Sequence, residues 1–232
     1  MNLADEYSEQ NRARLAVFDF DGTLISGQSG FLLFRYLLSR GFLTATQASR
    51  LSWWGIRYAT HLPKRQEEPR EIIFSALAGR TPEEVARIMD DFYETVLKER
   101  YRALGKAEVE RRRREGCVTL LVSATFADIA QRAARDMHFD GVVATDMRRD
   151  ESGLYTGEVE GEVVAGPQKR VVVEKWADEH IGEGKWTIAY AYGDHYTDLA
   201  LLGKAEKPFA VSPGRTLRRA ARRLDWPIVD WR

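Results

Sequence analysis

Short apolar runs recur along the chain, and they predict buried β-strands. The first run, LAVFDF at residues 15–20, ends in acids and a glycine, as a strand does where it enters a tight loop. Similar runs follow at residues 118–122, 141–145 and 187–192. None of them alternates cleanly between apolar and polar residues, which is typical of strands covered on both faces in a parallel sheet.

Helical patterns separate these strands. Residues 126–137 follow the second strand, residues 168–181 precede the fourth, and residues 196–202 follow it. Alternation of strand and helix predicts an α/β fold with a doubly wound, mostly parallel, Rossmann-like sheet. Residues 150–161 place a turn between alternating residues, which predicts a β-hairpin.

The stretch of residues 29–103 breaks this alternation and predicts three or four helices inserted after the first strand. Thr81, followed by a proline and two glutamates, is typical of a helix start. The apolar positions beyond it recur three and four residues apart, as on one helix face: Val85, Ile88, Met89, Phe92 and Val96. We therefore expect residues 1–28 and 104–232 to form the core, with a separate helical domain at 29–103.

The composition predicts a folded protein, which we expect to be cytoplasmic. Its 232 residues are 44% hydrophobic and 11% aromatic, which excludes a disordered chain. The single cysteine, Cys117, permits no internal disulfide and is expected to be buried and inert. The N-terminal segment has no apolar signal core, and no apolar run approaches the roughly 18 residues of a membrane span.

The overall balance of charge argues against nucleic acid as a partner, although acidic and basic residues are unevenly distributed along the chain. The 35 basic and 35 acidic residues give a formal net charge of zero, whereas proteins that bind nucleic acid through its phosphates are usually basic. The run of arginines at 111–114 is interpreted as a solvated helix face. Residues 22–66 contain no acid at all, yet they hold six basic residues: Arg35, Arg40, Arg50, Arg57, Lys64 and Arg65.

Two pairs of acids follow predicted strands. Asp19 and Asp21 are two residues apart where the first strand ends, and Asp194 and Asp198 follow the fourth. Ligands of open α/β sheets bind beyond the carboxyl ends of the strands, so we expect the four carboxylates to meet there. Such acids repel one another, and oxygen ligands without cysteine or histidine point to Mg²⁺ as the ion that holds them together.

The same edge supplies groups suited to a phosphoryl oxygen. Ser123 ends the second strand, so its hydroxyl and the amides that follow lie at this edge, and Lys169 opens the helix before the fourth strand. Phosphoryl transfer needs such donors together with a cation for the developing charge. A nucleophilic carboxylate, a second acid, a hydroxyl, a lysine and a metal-binding pair thus follow one another along the chain.

This arrangement resembles the haloacid dehalogenase (HAD) superfamily of aspartyl phosphatases, and its hairpin and Gly166-Pro-Gln-Lys169 resemble the subfamily containing phosphoserine phosphatase. The resemblance implies that residues 29–103 form a C1-type helical cap over the core. It also implies that Asp19 is a nucleophile that forms an aspartyl-phosphate, and that Asp21 protonates the leaving group and then activates water. The implied enzyme is a phosphoric monoester hydrolase that acts on a small phosphorylated metabolite.

Further site roles come from the same resemblance. Mg²⁺ is expected to bind Asp19, the backbone carbonyl of Asp21, and Asp194. Asp198 is either a metal ligand, directly or through water, or an acid that orients Lys169. Lys169, Ser123 and the amide of Ala124 are expected to hold the phosphoryl oxygens.

Two departures from the subfamily concern the substrate. Ser123-Ala124-Thr125 stands where phosphoserine phosphatases commonly have Ser-Gly-Gly, and Gln28-Ser29 stands where related members often have Asp-Ser. We expect neither departure to touch the chemistry, but both bear on whether phosphoserine is the substrate. The apolar segment 31–38 is similar to bacterial phosphatidylglycerophosphatases of the same superfamily.

Three alternatives remain beside the metabolite phosphatase. A lipid-phosphate phosphatase, in peripheral contact with anionic lipid, and a phosphotransferase would use the same site. A non-enzymatic binding protein is disfavoured because no motif acid is missing.

His195 is interpreted as a loop residue beside the site.

Substrate choice is expected to lie in the cap. The acid-free stretch predicts a basic half-cap that faces the acidic core through Arg35, Arg50 and Arg57. Further candidate contacts are Tyr58 and the pair Trp53-Trp54.

Overall fold

A computed structural model describes residues 12–43 and 68–232, together with Thr46, Ser49 and Trp53. In this part of the chain, seven strands form one sheet in the order β4-β3-β2-β1-β5-β6-β7. Neighbouring strands are parallel except β3 and β4, which form the predicted antiparallel hairpin. The strands are β1 (Ala13–Asp19), β2 (Val118–Phe126), β3 (Gly141–Arg149), β4 (Tyr155–Glu160), β5 (Trp186–Gly193), β6 (Lys207–Val211) and β7 (Ile228–Val229).

Strand β1 lies at the centre of the sheet and is covered on both faces. Ala16 and Phe18 belong to one hydrophobic cluster, whereas Leu15 and Val17 belong to a second, as the alternation of side chains along a strand requires. The predicted two-sided burial and doubly wound α/β fold are confirmed.

The helices of the core cover both faces of this sheet. Val173 of α6 (Gln168–His180) and Leu217 of α8 (Arg215–Arg223) pack in the cluster of Leu15, and Ile129 of α5 (Ala127–Asp136) packs in the cluster of Phe18. Helices α5 and α6 confirm the two longer helices expected between the strands. The core helices are α4 (Ala103–Arg114), α5 (Ala127–Asp136), α6 (Gln168–His180), α7 (Leu199–Leu202) and α8 (Arg215–Arg223).

The register of β1 brings three strand ends together. Asp19 lies beside Val122 of the parallel strand β2, and Phe18 lies beside Tyr192 of the parallel strand β5. The residues that follow Val122 and Tyr192 therefore emerge next to Asp19, at the carboxyl edge of the sheet.

The described part of residues 29–103 is helical, in agreement with the periodicity. It contains α1 (Ser29–Ser39), α2 (Glu68–Phe74) and α3 (Pro82–Phe92), followed by a π-helical turn (Tyr93–Leu97) and a 3₁₀ turn (Lys98–Arg100). The predicted start of α3 is a reciprocal cap, because Thr81 Oγ1 accepts from the Glu84 amide and Glu84 Oε2 accepts from the Thr81 amide.

One arginine of the run at 111–114 departs from its interpretation as a solvated face. The side chain of Arg112 is 2% exposed and pairs with Glu108 and Glu115, each at 2.7 Å. Its guanidinium also lies 3.5 Å from the ring centroid of Tyr190. The solvated interpretation is therefore wrong for Arg112, which is a structural arginine, while Arg111 and Arg114 are exposed. Cys117 is buried, as expected.

Among the described residues, the helices are too short or too polar to cross a membrane.

Candidate active site

Asp19, the last residue of β1, is the centre of the site. Its side chain is buried, and its Oδ1 accepts a hydrogen bond of 2.6 Å from Lys169 Nζ. Its Oδ2 accepts one of 2.9 Å from Thr23 Oγ1. The same Lys169 Nζ lies 2.7 Å from Asp198 Oδ1, so one buried ammonium group, on the first turn of α6, joins two carboxylates.

Asp194 completes a cluster of three acids. One carboxylate oxygen from each of Asp19, Asp194 and Asp198 lies within 4.8 Å of the other two. A glycine makes the approach possible, because a Cβ on Gly22 would lie 2.1 Å from Asp194 Oδ2. Gly22 also has a φ of +77°, a conformation that favours glycine. The sequence Asp21-Gly22 thus leaves room for a carboxylate that any other residue would displace.

Two acids of this cluster, Asp19 and Asp194, bind protons more tightly than ordinary aspartates. Burial, opposed in part by Lys169, raises the pKa of Asp19 to about 7. Burial together with repulsion from Asp19 and Asp198 raises the pKa of Asp194 to about 8. Burial alone would lower the pKa of Lys169, but Asp19 and Asp198 outweigh it and hold that pKa above its usual value.

A magnesium ion fits this cluster. No side chain or amide of the described residues donates a hydrogen bond to the Asp194 carboxylate, although that group is largely enclosed. A partly buried carboxylate without a hydrogen-bond donor is costly, and a cation held jointly with Asp19 and Asp198 would remove that cost. The donor set consists of oxygens alone, as Mg²⁺ prefers.

Asp21 turns away from the acid cluster toward helix α1. Its Oδ1 accepts from the Ser29 amide at 2.6 Å, and its Oδ2 accepts from Ser29 Oγ at 2.9 Å. Ser29 is the first residue of α1, where unpaired amides favour an acid. Burial raises the pKa of Asp21, and the Ser29 hydrogen bonds offset part of this rise.

A departure from the subfamily reaches this acid. Thr125 Oγ1 lies 2.6 Å from Ser29 Oγ, so Thr125 is linked through Ser29 to Asp21. The structure therefore links Thr125, through Ser29, to one of the two predicted catalytic acids. The contact joins residues 96 positions apart and carries no local signal in the sequence.

The segment after β2 forms one wall of the site. Ser123 is buried, and its Oγ accepts a hydrogen bond of 3.1 Å from the Thr125 amide. Arg70 of α2 donates from Nε to the carbonyl oxygen of Ala124 at 2.9 Å. Arg70 therefore ties the inserted helices to this wall, a role that the sequence did not indicate.

All seven predicted site residues line one cavity of about 800 Å³: Asp19, Asp21, Ser123, Ala124, Lys169, Asp194 and Asp198. Helix α1 contributes Phe31 and Phe34, and α2 contributes Arg70, Ile73 and Phe74. His195 also lines the cavity; its Nδ1 lies 3.0 Å from Thr197 Oγ1.

The predicted basic half-cap is wrong for Arg35, which is exposed and does not line the cavity. Arg35 occupies the outer side of α1, where Leu33 and Phe34 take the inner positions. Arg70, beyond the acid-free stretch, is the arginine from the described part of residues 29–103 that lines it. Trp53 is 60% exposed, while Arg50, Trp54, Arg57 and Tyr58 lie outside the described residues.

Comparison with known proteins gives a consistent family. The sequence profile of the haloacid dehalogenase-like hydrolases matches residues 16–203. The chain is 28% identical to the inhibition of morphological differentiation protein of Streptomyces azureus, covering 93% of this chain and 78% of that one. It is 24% identical to the histidinol-phosphatase of Neisseria meningitidis serogroup C, covering 94% and 99% of the two chains.

Solved structures share the fold over nearly the whole chain. A protein of unknown function from Bordetella pertussis Tohama I superposes with a TM-score of 0.86 at 27% identity, covering 95% of this chain and all of that one. A phospho-aspartyl intermediate analogue of phosphoserine phosphatase superposes with a TM-score of 0.62 at 19% identity, covering 95% and 94%.

Proposed function

The chain belongs to the haloacid dehalogenase-like hydrolases and is a phosphatase of phosphate monoesters; we propose that it works through an aspartyl-phosphate on Asp19 and requires Mg²⁺. The observation that carries this proposal is the position of the buried Asp19 carboxylate, held by Lys169 and Thr23 beside Asp194 and Asp198. The proposed substrate is a small phosphorylated metabolite.

Asp19 is the proposed nucleophile. One of its carboxylate oxygens attacks phosphorus, a new P–O bond forms, and the bond from phosphorus to the ester oxygen breaks. The hydrogen bonds from Lys169 and Thr23 fix the orientation of the carboxylate before the attack.

Asp21 is the proposed acid and base. Its raised pKa favours the protonated form, which gives its proton to the departing alcohol oxygen. The resulting carboxylate then takes a proton from the water that attacks the aspartyl-phosphate. Inorganic phosphate leaves, and both aspartates return to their starting states.

The phosphoryl oxygens are proposed to contact Ser123 Oγ, the Ala124 amide and Lys169. These groups line the same cavity as Asp19, and the Arg70 hydrogen bond to the Ala124 carbonyl supports the position of that amide. Donors fixed before the reaction stabilise charge that develops on the transferred group.

Mg²⁺ is proposed to bind Asp19, the Asp21 backbone carbonyl, Asp194 and Asp198. When bound there it neutralises the carboxylates and polarises a phosphoryl oxygen. Lys169 bridges Asp19 and Asp198 and keeps them in place.

Residues 29–103 are proposed to form the cap, over a core made of residues 1–28 and 104–232. This division is supported by the described strands, which lie at residues 13–19 and 118–229, and by the helices α1 and α2 that line the cavity opposite them. A cap of this kind excludes water from the reacting groups.

The decisive variant is Asp19→Asn, assayed on a generic aryl phosphate with Mg²⁺. We expect turnover to be abolished, because the amide is a poor nucleophile, while the control Asp146→Asn, an exposed aspartate of β3 that does not line the cavity, keeps it. Retained turnover in Asp19→Asn would sink the mechanism. Release of alcohol and phosphate in equal amounts supports hydrolysis, and a deficit of phosphate in the presence of a second alcohol indicates the alternative, phosphotransfer.

A further inference from the structure

The cavity has charged lining residues at the strand ends, here called the charged end, and a set of apolar lining residues, here called the apolar end; Arg70 of α2 also lines it. The charged end contains the acid cluster, Asp21, Ser123 and Lys169. The apolar members lie on α1, on α2 and at the junction of β2 and α5: Phe31, Phe34, Ile73, Phe74, Phe126 and Ile129. Phe74 and Phe126, from cap and core, pack with ring centroids 5.0 Å apart.

Phe31 marks the outer limit of this apolar end. It is 59% exposed, although it lines the cavity, and its ring centroid lies 6.5 Å from that of the half-buried Phe34. A large exposed aromatic side chain at the mouth of a cavity loses water when a ligand covers it, so it favours an apolar ligand there.

Each acid that lines the described part of the cavity already belongs to the acid cluster or is held by Ser29. Among the described residues, the acids that line it are Asp19, Asp21, Asp194 and Asp198. The cluster holds three of them, and Ser29 holds Asp21. An ammonium group on the alcohol part of a substrate would therefore find no free carboxylate partner among the described residues of the apolar end, and burying an unpaired charge is costly.

We propose that the substrate is the phosphate monoester of a bulky, uncharged, apolar alcohol. The inference rests on the proposed function and names the class of its leaving group. The phosphate meets Asp19 and Lys169, and the carbon skeleton of the alcohol lies against the phenylalanines of α1 and α2. A cavity of about 800 Å³ lined mainly by apolar and aromatic groups is of the size that takes such a ligand.

A series of n-alkyl phosphates isolates this effect, because their leaving groups have nearly equal reactivity. With Mg²⁺ present and each ester kept below micelle-forming concentration, kcat/KM is measured for ethyl, butyl, hexyl and octyl phosphate and for O-phosphoserine. We expect kcat/KM to rise about four-fold for each buried methylene group. O-phosphoserine should be the poorest substrate of the set.

Two variants on α1 test the location. In Phe31→Ala the ratio of kcat/KM for octyl phosphate to kcat/KM for ethyl phosphate should fall about five-fold, because the Phe31 ring covers the octyl group. In the control Leu38→Ala, which removes an exposed apolar side chain of the same helix that does not line the cavity, the ratio should be unchanged. A fall of equal size in both variants would overturn the placement at the mouth.

Alkylphosphonates of the same lengths separate this inference from the proposed hydrolysis, because they carry no scissile ester. Binding that tightens with chain length, without turnover of any ester, would support the apolar ligand and overturn the hydrolase. Turnover that is flat along the series, or best with O-phosphoserine, would overturn the apolar substrate and leave the hydrolase standing. Absence of both turnover and binding would overturn both.

Discussion

The Nζ atom of Lys169 lies 2.6 Å from Oδ1 of Asp19, and both side chains are almost fully buried. Lys169 also reaches Asp198 at 2.7 Å, so it holds together two of the three acids of the cluster. The lysine thus has two roles, since it neutralises the core of the site and orients the proposed nucleophile.

Lys169→Ala should lose both roles. We expect kcat to fall by about 10²–10³, because the donor to Asp19 and to the phosphoryl group is removed. Metal-free protein should also be destabilised by about 3 kcal/mol, because two buried carboxylates lose their cation. Turnover of an aryl phosphate and chemical denaturation measure the two effects.

Lys175→Ala is the matched control on the same helix. Its side chain is 73% exposed, and its ion pair within the described part of the chain is a long contact of 3.8 Å with Glu179. Activity and stability should stay within experimental error. Equal losses in the two variants would show that the effect belongs to helix α6 as a whole and not to the buried contact.

The pKa values of the acid cluster predict an unusual pH dependence for the metal-free protein. The pKa of Asp19 is raised from 3.8 to about 7 and that of Asp194 from 3.8 to about 8. Between the unfolded-state pKa of 3.8 and the raised pKa of each acid, the folded state keeps a proton that the unfolded state has released. The stability of the metal-free protein should therefore fall as pH rises toward 8.

Mg²⁺ should reverse this trend, because it binds the deprotonated carboxylates. The rise in Tm on adding Mg²⁺ should be small near pH 5 and largest near pH 8. Thermal unfolding in Mg²⁺ and in chelator measures the difference, and Asp194→Asn should lose most of it. A difference that is constant or shrinks with rising pH would contradict the assignment of the cluster.

Ser29→Ala tests whether Asp21 depends on its hydroxyl contact. The variant removes the 2.9 Å bond from Ser29 Oγ and keeps the 2.6 Å bond from the amide. Because the hydroxyl favours the charged form of Asp21, its loss should move the limb of the kcat–pH profile assigned to Asp21 to higher pH. We expect kcat at neutral pH to fall about ten-fold.

Thr125→Val probes the same network from the β2 side. It removes the hydroxyl that lies 2.6 Å from Ser29 Oγ and keeps the shape of the side chain. Its pH profile should move in the same direction as that of Ser29→Ala, by less. The control Ser152→Ala, in the turn of the β3–β4 hairpin, should leave the kcat–pH profile unchanged. An unchanged profile in Ser29→Ala would refute the role of Ser29 in positioning Asp21.

The acids of the site could be predicted because their positions follow from local order. Asp19 and Asp194 come where apolar runs end, and parallel strands bring such ends to one edge. Ser123 was predicted in the same way and Lys169 from its place at the start of a predicted helix, and all of them line one cavity.

Contacts made only in the tertiary structure could not be predicted. Thr125 meets Ser29 across 96 positions, and Arg70 meets Ala124 across 54. Arg112 is one of four consecutive arginines, and only the packing of α4 shows which of them is buried. Strands β6 and β7 were not predicted, since Lys207 and Pro208 begin the one and the other is only Ile228–Val229.

The sequence showed that residues 22–66 are basic, but it did not show whether their basic side chains face the cavity. Residues 22–66 hold basic residues and no acids, yet Arg35 lies on the outer side of α1. The inner side of that helix is apolar because it packs against the hydrophobic core. The basic residues are therefore left to the outer side.

The central claim, covalent catalysis by Asp19, can be tested by acid quench of the enzyme during turnover with Mg²⁺, followed by mass spectrometry of its peptides. We predict one added phosphoryl group on the peptide that contains Asp19, its accumulation in Asp21→Asn, where water is no longer activated, and its absence in Asp19→Asn. A phosphoryl group on another residue, or none at all during steady turnover, would contradict the account.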